Sequence, residues 1–567
     1  MDKAYLRHFL TIILIVFAIS CTQHKEETAS SKKGKKLIEK PTIRDITINK
    51  KGKQEPLPKR STPTDSLVYN LQAEPITLNP LLVTDLNSYL VTYLIFESLI
   101  DIDNQLHYVP RLASSWDISS DSKTITFHLK KDVTWHDGKK LTAQDVLFTF
   151  HKAIDDEVAS FRFKGAFEEV EKVEAPNELT FRVHYKRPLA SALQNWTSFG
   201  ILPKHIYSKV NFTQSSLDVK PVGSGPYVFV EWKKGKYLKL TEHQQYWLGP
   251  PKIKNIIFRA IPSQNIALKS FIRGDLDGLE VTPSQWAKNT SSTQLKKICN
   301  MYKFPTLNFF VVAWNADGSN PYFSDRNMRR AMTLATDRQS IIQKLLFGLA
   351  ESCTGPFSPQ SWGYNHSIKP LPFDLEKAGK LLDDAGWKDT DQDGVRDHEG
   401  TPFRFSLNIP INNRQAEQVA SMLQYNLEMI GILMNIVRLE NASYIDHLMK
   451  KEFHACLMAL ALSVDPDNYQ LLHSSQIKHG LNLTSYHNPE VDLLVERGRK
   501  TFDHKERIKI YHQVHQLVHE DQPYTFLFSR PQLYYFHKAI RNIKISPMPL
   551  YLFFPGILEW SIEHKQS

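Results

Sequence analysis

Cysteine is scarce in this chain: four in 567 residues, at positions 21, 299, 353 and 456. No two are spaced as CxxC, which excludes a zinc ribbon and a thioredoxin-like redox pair. For Cys299, Cys353 and Cys456 two readings stay open, one disulfide in an exported protein or three buried thiols. Catalytic motifs are missing as well. There is no GxSxG, no HExxH and no phosphate-binding GxxxxGK[ST] loop, so no enzyme is expected. No apolar run reaches the ~18–20 residues that cross a bilayer. A net excess of either charge is missing from the body of the chain. Lys and Arg exceed Asp and Glu by 10 overall. Residues 22–60 contribute +7 of this and residues 1–21 contribute +1, which leaves +2 for residues 61–567. A nearly neutral body gives nucleic acid no footing.

The N-terminus has the parts of an export signal. Lys3 and Arg7 precede the apolar stretch FLTIILIVFAIS, and Cys21 follows directly. A stretch of about 12 apolar residues has the length of a signal core. Cys after AIS resembles a lipobox, with Ala18 where Leu is usual, and Cys21 is the expected lipidation site. Residues 22–60 are rich in Lys, Ser, Thr and Pro and poor in aromatics. They cannot bury enough apolar area to fold, so they read as a disordered basic tether. The expected address is the periplasmic or cell-surface face of a membrane, held there by the anchor.

Strand and helix signals then alternate without a strict βαβ repeat. Ser66–Leu71 opens a short alternating strand, and Ser88–Ile100 is apolar enough for a buried helix. Thr124–Leu129 and Val133–Trp135 read as strands. Thr142, with Asp145 three residues on, starts a helix. Pro221–His243 reads as a Gly-rich corner and a hairpin, and Asn308–Trp314 as a strand. A helix over Ser324–Gly348 breaks at Thr336–Asp337.

Five stretches, in this order, resemble the extracytoplasmic solute-binding proteins of the peptide/nickel ABC importers, family 5. They are YLIFESLIDID…HYVPRLASSWDIS, TFHLKKDVTWHDGKKLTAQDVLFTF, PVGSGPYVFVEW…YW, SDRNMRRAMTLATDRQSII and YHNPEVDLLVERGRKTFDHKERIKIYHQVHQLVHEDQPY. The resemblance implies an α/β, two-lobed periplasmic-binding-protein fold, class II-like, with a hinged cleft. Lobe I would be 61–98, 219–304 and 520–567, with an extra subdomain at 99–218. Lobe II would be 305–519, after the signal peptide 1–21 and the tether 22–60. Hinges are expected near Lys303–Thr306 and Glu520–Tyr524. The implied function is capture of an oligopeptide or related solute in the cleft and delivery to the permease and ATPase subunits, by a monomer that needs no cofactor. A peptide-sensing receptor or chaperone-like surface lipoprotein without transport is the alternative.

The resemblance also places the site. Peptide binders of the family carry an Asp three residues before the acid of an acidic/Pro turn, and it holds the ligand's α-amino group. Here the turn is Asp465–Pro466–Asp467–Asn468, and Leu462 stands where that Asp would be. No acid occurs in 457–464, although Asp465 itself could turn inward. Strand alternation puts Met458, Leu460 and Leu462 on one face, an apolar cleft wall, with Ser463 beside them. Val83, Thr84 and Asp85 are expected on the facing wall, with Asp85 as a cation anchor. Trp314 and Asn315 are further candidates.

Two more patterns stand out. Asp389, Asp391, Asp393 and Asp397 occupy positions 1, 3, 5 and 9 of a loop with Gly394 at 6, a spacing that suits Ca²⁺. Position 12 is Gly400 where a bidentate Glu belongs, and Glu399 comes one place early. A structural Ca²⁺ loop and a polar turn that binds nothing both remain open. His512, His515 and His519 lie at i, i+3, i+7 on one helix face, expected as a solvated stripe on the lobe exterior.

Overall fold

The computed structural model describes residues 61–545 except 104, 157, 159, 160, 211 and 213–219, and residues 552, 553 and 556–563. The signal segment, Cys21 and the tether lie outside these residues. Two large sheets organise the chain. The first has the order Cys299–Phe304, Gln532–His537, Gly278–Glu280, Ser66–Leu71, Asn255–Ala260, Tyr237–Glu242, Tyr227–Lys233. The second has the order Glu351–Ser352, Tyr524–Ser529, Asn308–Trp314, Ala455–Ala461, Arg404–Pro410, Leu433–Leu439. These are the cores of lobes I and II. A four-stranded antiparallel sheet, Ala113–Ile118, Thr124–Leu129, Thr180–Tyr185 and Val170–Asn177, forms a subdomain.

Local chemistry sets the elements. Asp85, Asp325 and Asp503 each cap a helix by accepting a backbone N–H with the side chain, which satisfies donors that a helix start leaves unpaired. The Thr142 N–H donates to Asp145 Oδ2 at 2.9 Å. At the Gly-rich corner, a Cβ on Gly223 would come within 1.9 Å of the Ile95 carbonyl oxygen, and one on Gly225 within 2.5 Å of that of Leu94. Only glycine fits there. The helix in 88–100 is shorter than expected, Leu86–Ile95, and Ile100–Ile102 is a strand.

Two expectations about strands change. Ser66–Leu71 is buried along its whole length instead of alternating. It runs parallel to strands on both sides, and a strand covered on both faces has no wet side. Val133–Trp135 shrinks to one isolated bridge, Thr134 to Lys140. The cysteines resolve plainly: Cys299, Cys353 and Cys456 are free and buried.

The chain crosses between the lobes in two adjacent places. One crossing joins Phe304 to Asn308 through Pro305, and the other joins Ser529 to Gln532 through Pro531. Thr306 Oγ1 donates to the Arg530 carbonyl at 3.1 Å, and Ser529 Oγ to the Asn308 carbonyl at 2.7 Å, so the two are tied side by side. The second crossing is therefore not at Glu520–Tyr524. Tyr524–Ser529 pairs with Asn308–Trp314 in the lobe II sheet, and lobe II runs to residue 529.

Candidate functional site

The hinge and one strand define the seam between the lobes. Ala461 is paired in register with Asn308, the first strand residue after the first crossing. The Ala455–Ala461 strand thus ends at the hinge. From there Leu462–Asp467 leads to a second interlobe contact. Ser191 Oγ of the subdomain donates to Asp467 Oδ2 at 2.9 Å, and the Ala190 N–H donates to the Arg499 carbonyl at 2.8 Å. Arg499 Nε lies 3.0 Å from Asp467 Oδ2, and its guanidinium stands 4.2 Å from the Tyr469 ring centroid. A wall of lobe II therefore runs from hinge to rim.

That wall has an open strand edge. Ala455–Ala461 pairs with Asn308–Trp314 throughout. On its other side Arg404–Pro410 pairs only at Ala455 and Cys456. Among the described residues, no strand continues that pairing. The Tyr444 hydroxyl takes the Leu457 carbonyl at 2.8 Å on this side. Peptide groups alternate along a strand, so those of Ala459 and Ala461 point the same way. Both residues are small and half-buried. Met458, Leu460 and Leu462 point to the other face at 5, 2 and 7% exposure. They belong to one continuous apolar cluster with Leu81 and Val83 of lobe I.

Comparison with known proteins agrees with this architecture. A profile of bacterial extracellular solute-binding proteins, family 5, matches residues 107–479. The oligopeptide-binding protein AppA of Bacillus subtilis is 34% identical over 474 residues, 82% of this chain and 86% of that protein. Its structure with a nonapeptide superposes with a TM-score of 0.77 at 30% identity, covering 88% of this chain and 99% of AppA. NikZ of Campylobacter jejuni, solved with Ni(L-His), gives 0.76 at 27% identity over 88% of this chain and 100% of its own. The chain belongs to the bacterial extracellular solute-binding proteins, family 5.

As a family 5 protein it binds a solute, and several expected site residues take other roles. Asp85 caps the Leu86–Ile95 helix: the Ser88 N–H donates to Oδ1 at 2.9 Å and the Ser88 hydroxyl to Oδ2. Its carboxylate is occupied as a cap, not poised as a cation anchor. Val83 is buried and Thr84 exposed. Trp314 and Asn315 are fully buried at the far end of their strand, about 20 Å from the hinge at ~3.3 Å per residue. Trp314 Nε1 donates to Thr525 Oγ1 at 3.1 Å, and Asn315 Nδ2 to the Lys451 and Phe453 carbonyls. Both serve the lobe II core.

Asp465 does not turn inward. Its two oxygens accept from Arg507 Nη1 and Nη2 at 2.7 and 2.8 Å. Burial pushes the carboxyl above its ordinary pKa, and Arg507 opposes the rise. Ser463 stays half-buried, and Trp362 Nε1 takes the next carbonyl, that of Val464, at 3.1 Å.

The carboxylates of Asp389, Asp391 and Asp393 lie within 4.8 Å of one another at the surface. Asp397 is not with them. It accepts from Thr390 N and Thr390 Oγ1, bonds that hold its carboxyl below the usual range. The histidine stripe is not solvated either. His515 is 0% and His519 9% exposed. The Asn365 N–H donates to His515 Nδ1 at 3.0 Å, which leaves Nε2–H to donate to Thr354 Oγ1 at 2.9 Å. A Cβ on Gly355 would come within 2.1 Å of this ring. Desolvation, aided by His519 and His512, lowers the His515 pKa to about 3. Periodicity held the missed signal: Arg507, Ile510, Tyr511, Val514, His515 and Val518 form a single buried stripe. An arginine and a histidine inside an apolar stripe are buried polar residues in need of partners.

Proposed function

We propose that this protein is the substrate-binding lipoprotein of an ABC importer, capturing an oligopeptide or related solute between its lobes for delivery to a permease and ATPase. One observation carries the peptide reading: the open edge at Ala459 and Ala461, beside the hinge. An unpaired strand edge is a template for an extended chain, whose backbone completes the pairing while side chains find pockets. An apolar face next to it, at Met458, Leu460 and Leu462, suits aliphatic or aromatic side chains. Closure about the two crossings brings Ser191 and Ala190 onto Asp467 and Arg499. The named relatives that bind an oligopeptide or a nonapeptide support the reading. It includes no catalysis. Lipidation at Cys21 would hold the protein at the membrane face where a permease sits, as a monomer.

With Leu462 in the anchor position and Asp465 spent on Arg507, neither position offers a free carboxylate to the ligand's amino end. Tetra-alanine and N-acetyl-tetra-alanine should therefore bind within about threefold of each other, measured by calorimetry. A loss of tenfold or more on acetylation would show that an ammonium is anchored after all. Failure to bind either form, together with non-peptide solutes found in native mass spectra of the purified protein, would overturn the peptide reading. Cys21→Ser should release the protein from the membrane fraction.

A further inference from the structure

At the hinge the lobe I sheet ends in a polar group unlike the apolar wall opposite. Glu280 closes its strand and pairs in register with Tyr534. Gln532 stands two residues before Tyr534, on the same face. Arg530 lies on the second crossing, its guanidinium 5.8 Å from the ring centroid of Phe310 in lobe II. Phe310 in turn is the register partner of Ala459 on the open-edged strand. Gln72 Nε2 donates to Glu280 Oε2 at 3.0 Å, and the Tyr534 hydroxyl donates to Gln532 Oε1 at 2.5 Å. Gln532 is 5% exposed, and its Nε2 has no acceptor among the described residues. A buried N–H without an acceptor is a standing cost that a bound oxygen would remove. Glu280 and Arg530 keep part of their surface open to solvent, and they act on each other. Burial raises the Glu280 pKa and Arg530 opposes it; burial lowers that of Arg530 and Glu280 opposes it. Tyr534 belongs to the large apolar cluster that also holds Met458, Leu460 and Leu462, and Arg530, through Phe310 opposite Ala459, brings this group beside the open-edged strand.

We propose that Gln532, Arg530 and Glu280 form the lobe I half of the ligand site, a net-neutral floor that takes an uncharged acceptor oxygen on the Gln532 amide and discriminates against singly charged ligand groups. The proposal rests on the peptide reading only for that oxygen being a backbone or side-chain carbonyl. With both charges in place, an anion gains from Arg530 what it loses to Glu280, and a cation the reverse. Removing either residue unbalances the floor.

The test uses a pool of twelve tetrapeptides, tetra-alanine with Asp, Gln or Lys at each position in turn. Peptides retained by the protein after gel filtration are separated and identified by chromatography with high-resolution tandem mass spectrometry, whose fragments tell the positional isomers apart and Gln from Lys. Glu280→Gln should raise the retained Asp-to-Lys ratio at least tenfold at one position, and Arg530→Gln should lower it as much. The double variant should return to the wild-type ratio, whereas a damaged fold would weaken all twelve and would not be repaired by a second substitution. Gln532→Leu should lower retention of the whole pool about fivefold. Ratios within threefold of wild type in both single variants would overturn the floor. If wild type retains no peptide, the peptide reading fails instead. The floor is then judged on the net charge of solutes released by acid from each purified variant: opposite shifts support it and unchanged charge overturns it.

Discussion

Asp465 and Asp467 stand two residues apart in one turn, and they do unlike work. Asp465 is 8% exposed and bound at both oxygens by Arg507, all within lobe II. Asp467 is half-buried and reaches out of its lobe to Ser191, with Arg499 at its side. Pro466, its φ fixed by the ring, stands between them. The first fastens the turn to its own lobe, and the second joins that turn to the other lobe. A turn that carries an interlobe contact must itself be held rigid, or closure would be spent on ordering it.

The comparison is broken most severely at the inner acid. Asp465→Ala leaves Arg507 buried without its partner, and loss of one member of a buried pair costs about 3–5 kcal/mol. Thermal unfolding should show the largest drop of any variant considered. Asp465→Asn with Arg507→Met should recover part of it. If Asp465→Ala unfolds within 2 °C of wild type, the pair is not a fastening. Acid should attack the same side of the turn. His515 lies two helical turns beyond Arg507 on the same stripe. Its folded pKa is lowered to about 3, below the ~6.5 of an unfolded chain. The unfolded state therefore binds the proton first, and stability falls as pH drops from about 6.5 towards 3. The slope is at most about 1.4 kcal/mol per pH unit, or ~3 kcal/mol by pH 4. Unfolding midpoints at pH 7, 5 and 4 check this. His515→Gln should flatten the decline, and an equally steep fall in that variant would clear His515 of the effect.

Much of this was legible in the sequence, and the failures share a cause. The family, the two lobes and the Thr142 helix start follow from residues that act locally or in ordered stretches. The Asp465–Pro466–Asp467 turn and the absence of any acid in 457–464 were visible in the sequence. The partners were not. Asp465 could be placed in the turn, but its Arg507 is 42 residues away, and only the helix stripe hinted at that arginine. Asp85 read as a free anchor because a cap and a ligand group look alike until Ser88 is seen on it. Trp314 and Asn315 read as site residues because their strand starts at the hinge, yet they sit at its far end. Gln532 and Arg530 were missed because the second crossing was placed some nine residues too early. A separation of 276 residues lies between Ser191 and Asp467, and no local pattern announces such a contact.

The outer acid should yield smaller effects and of another kind. Asp467→Ala removes a partly exposed hydrogen bond and ion pair, worth about 1 kcal/mol. The fold should keep its unfolding midpoint. Affinity for tetra-alanine should fall about fivefold, chiefly through faster release, and small-angle scattering should show a larger radius of gyration with ligand bound. A variant that loses stability and keeps affinity would make Asp467 a fastening like its neighbour. Ser191→Ala should be the mildest, about 0.5 kcal/mol and roughly twofold in affinity, because it deletes one neutral donor. The double variant decides whether the contact is direct. If Ser191 acts only through Asp467, Asp467→Ala with Ser191→Ala binds as Asp467→Ala does, since the second change has nothing left to remove. Additive losses would mean that the Ala190–Ser191 segment holds lobe II by another route, through the Arg499 carbonyl that already accepts from Ala190.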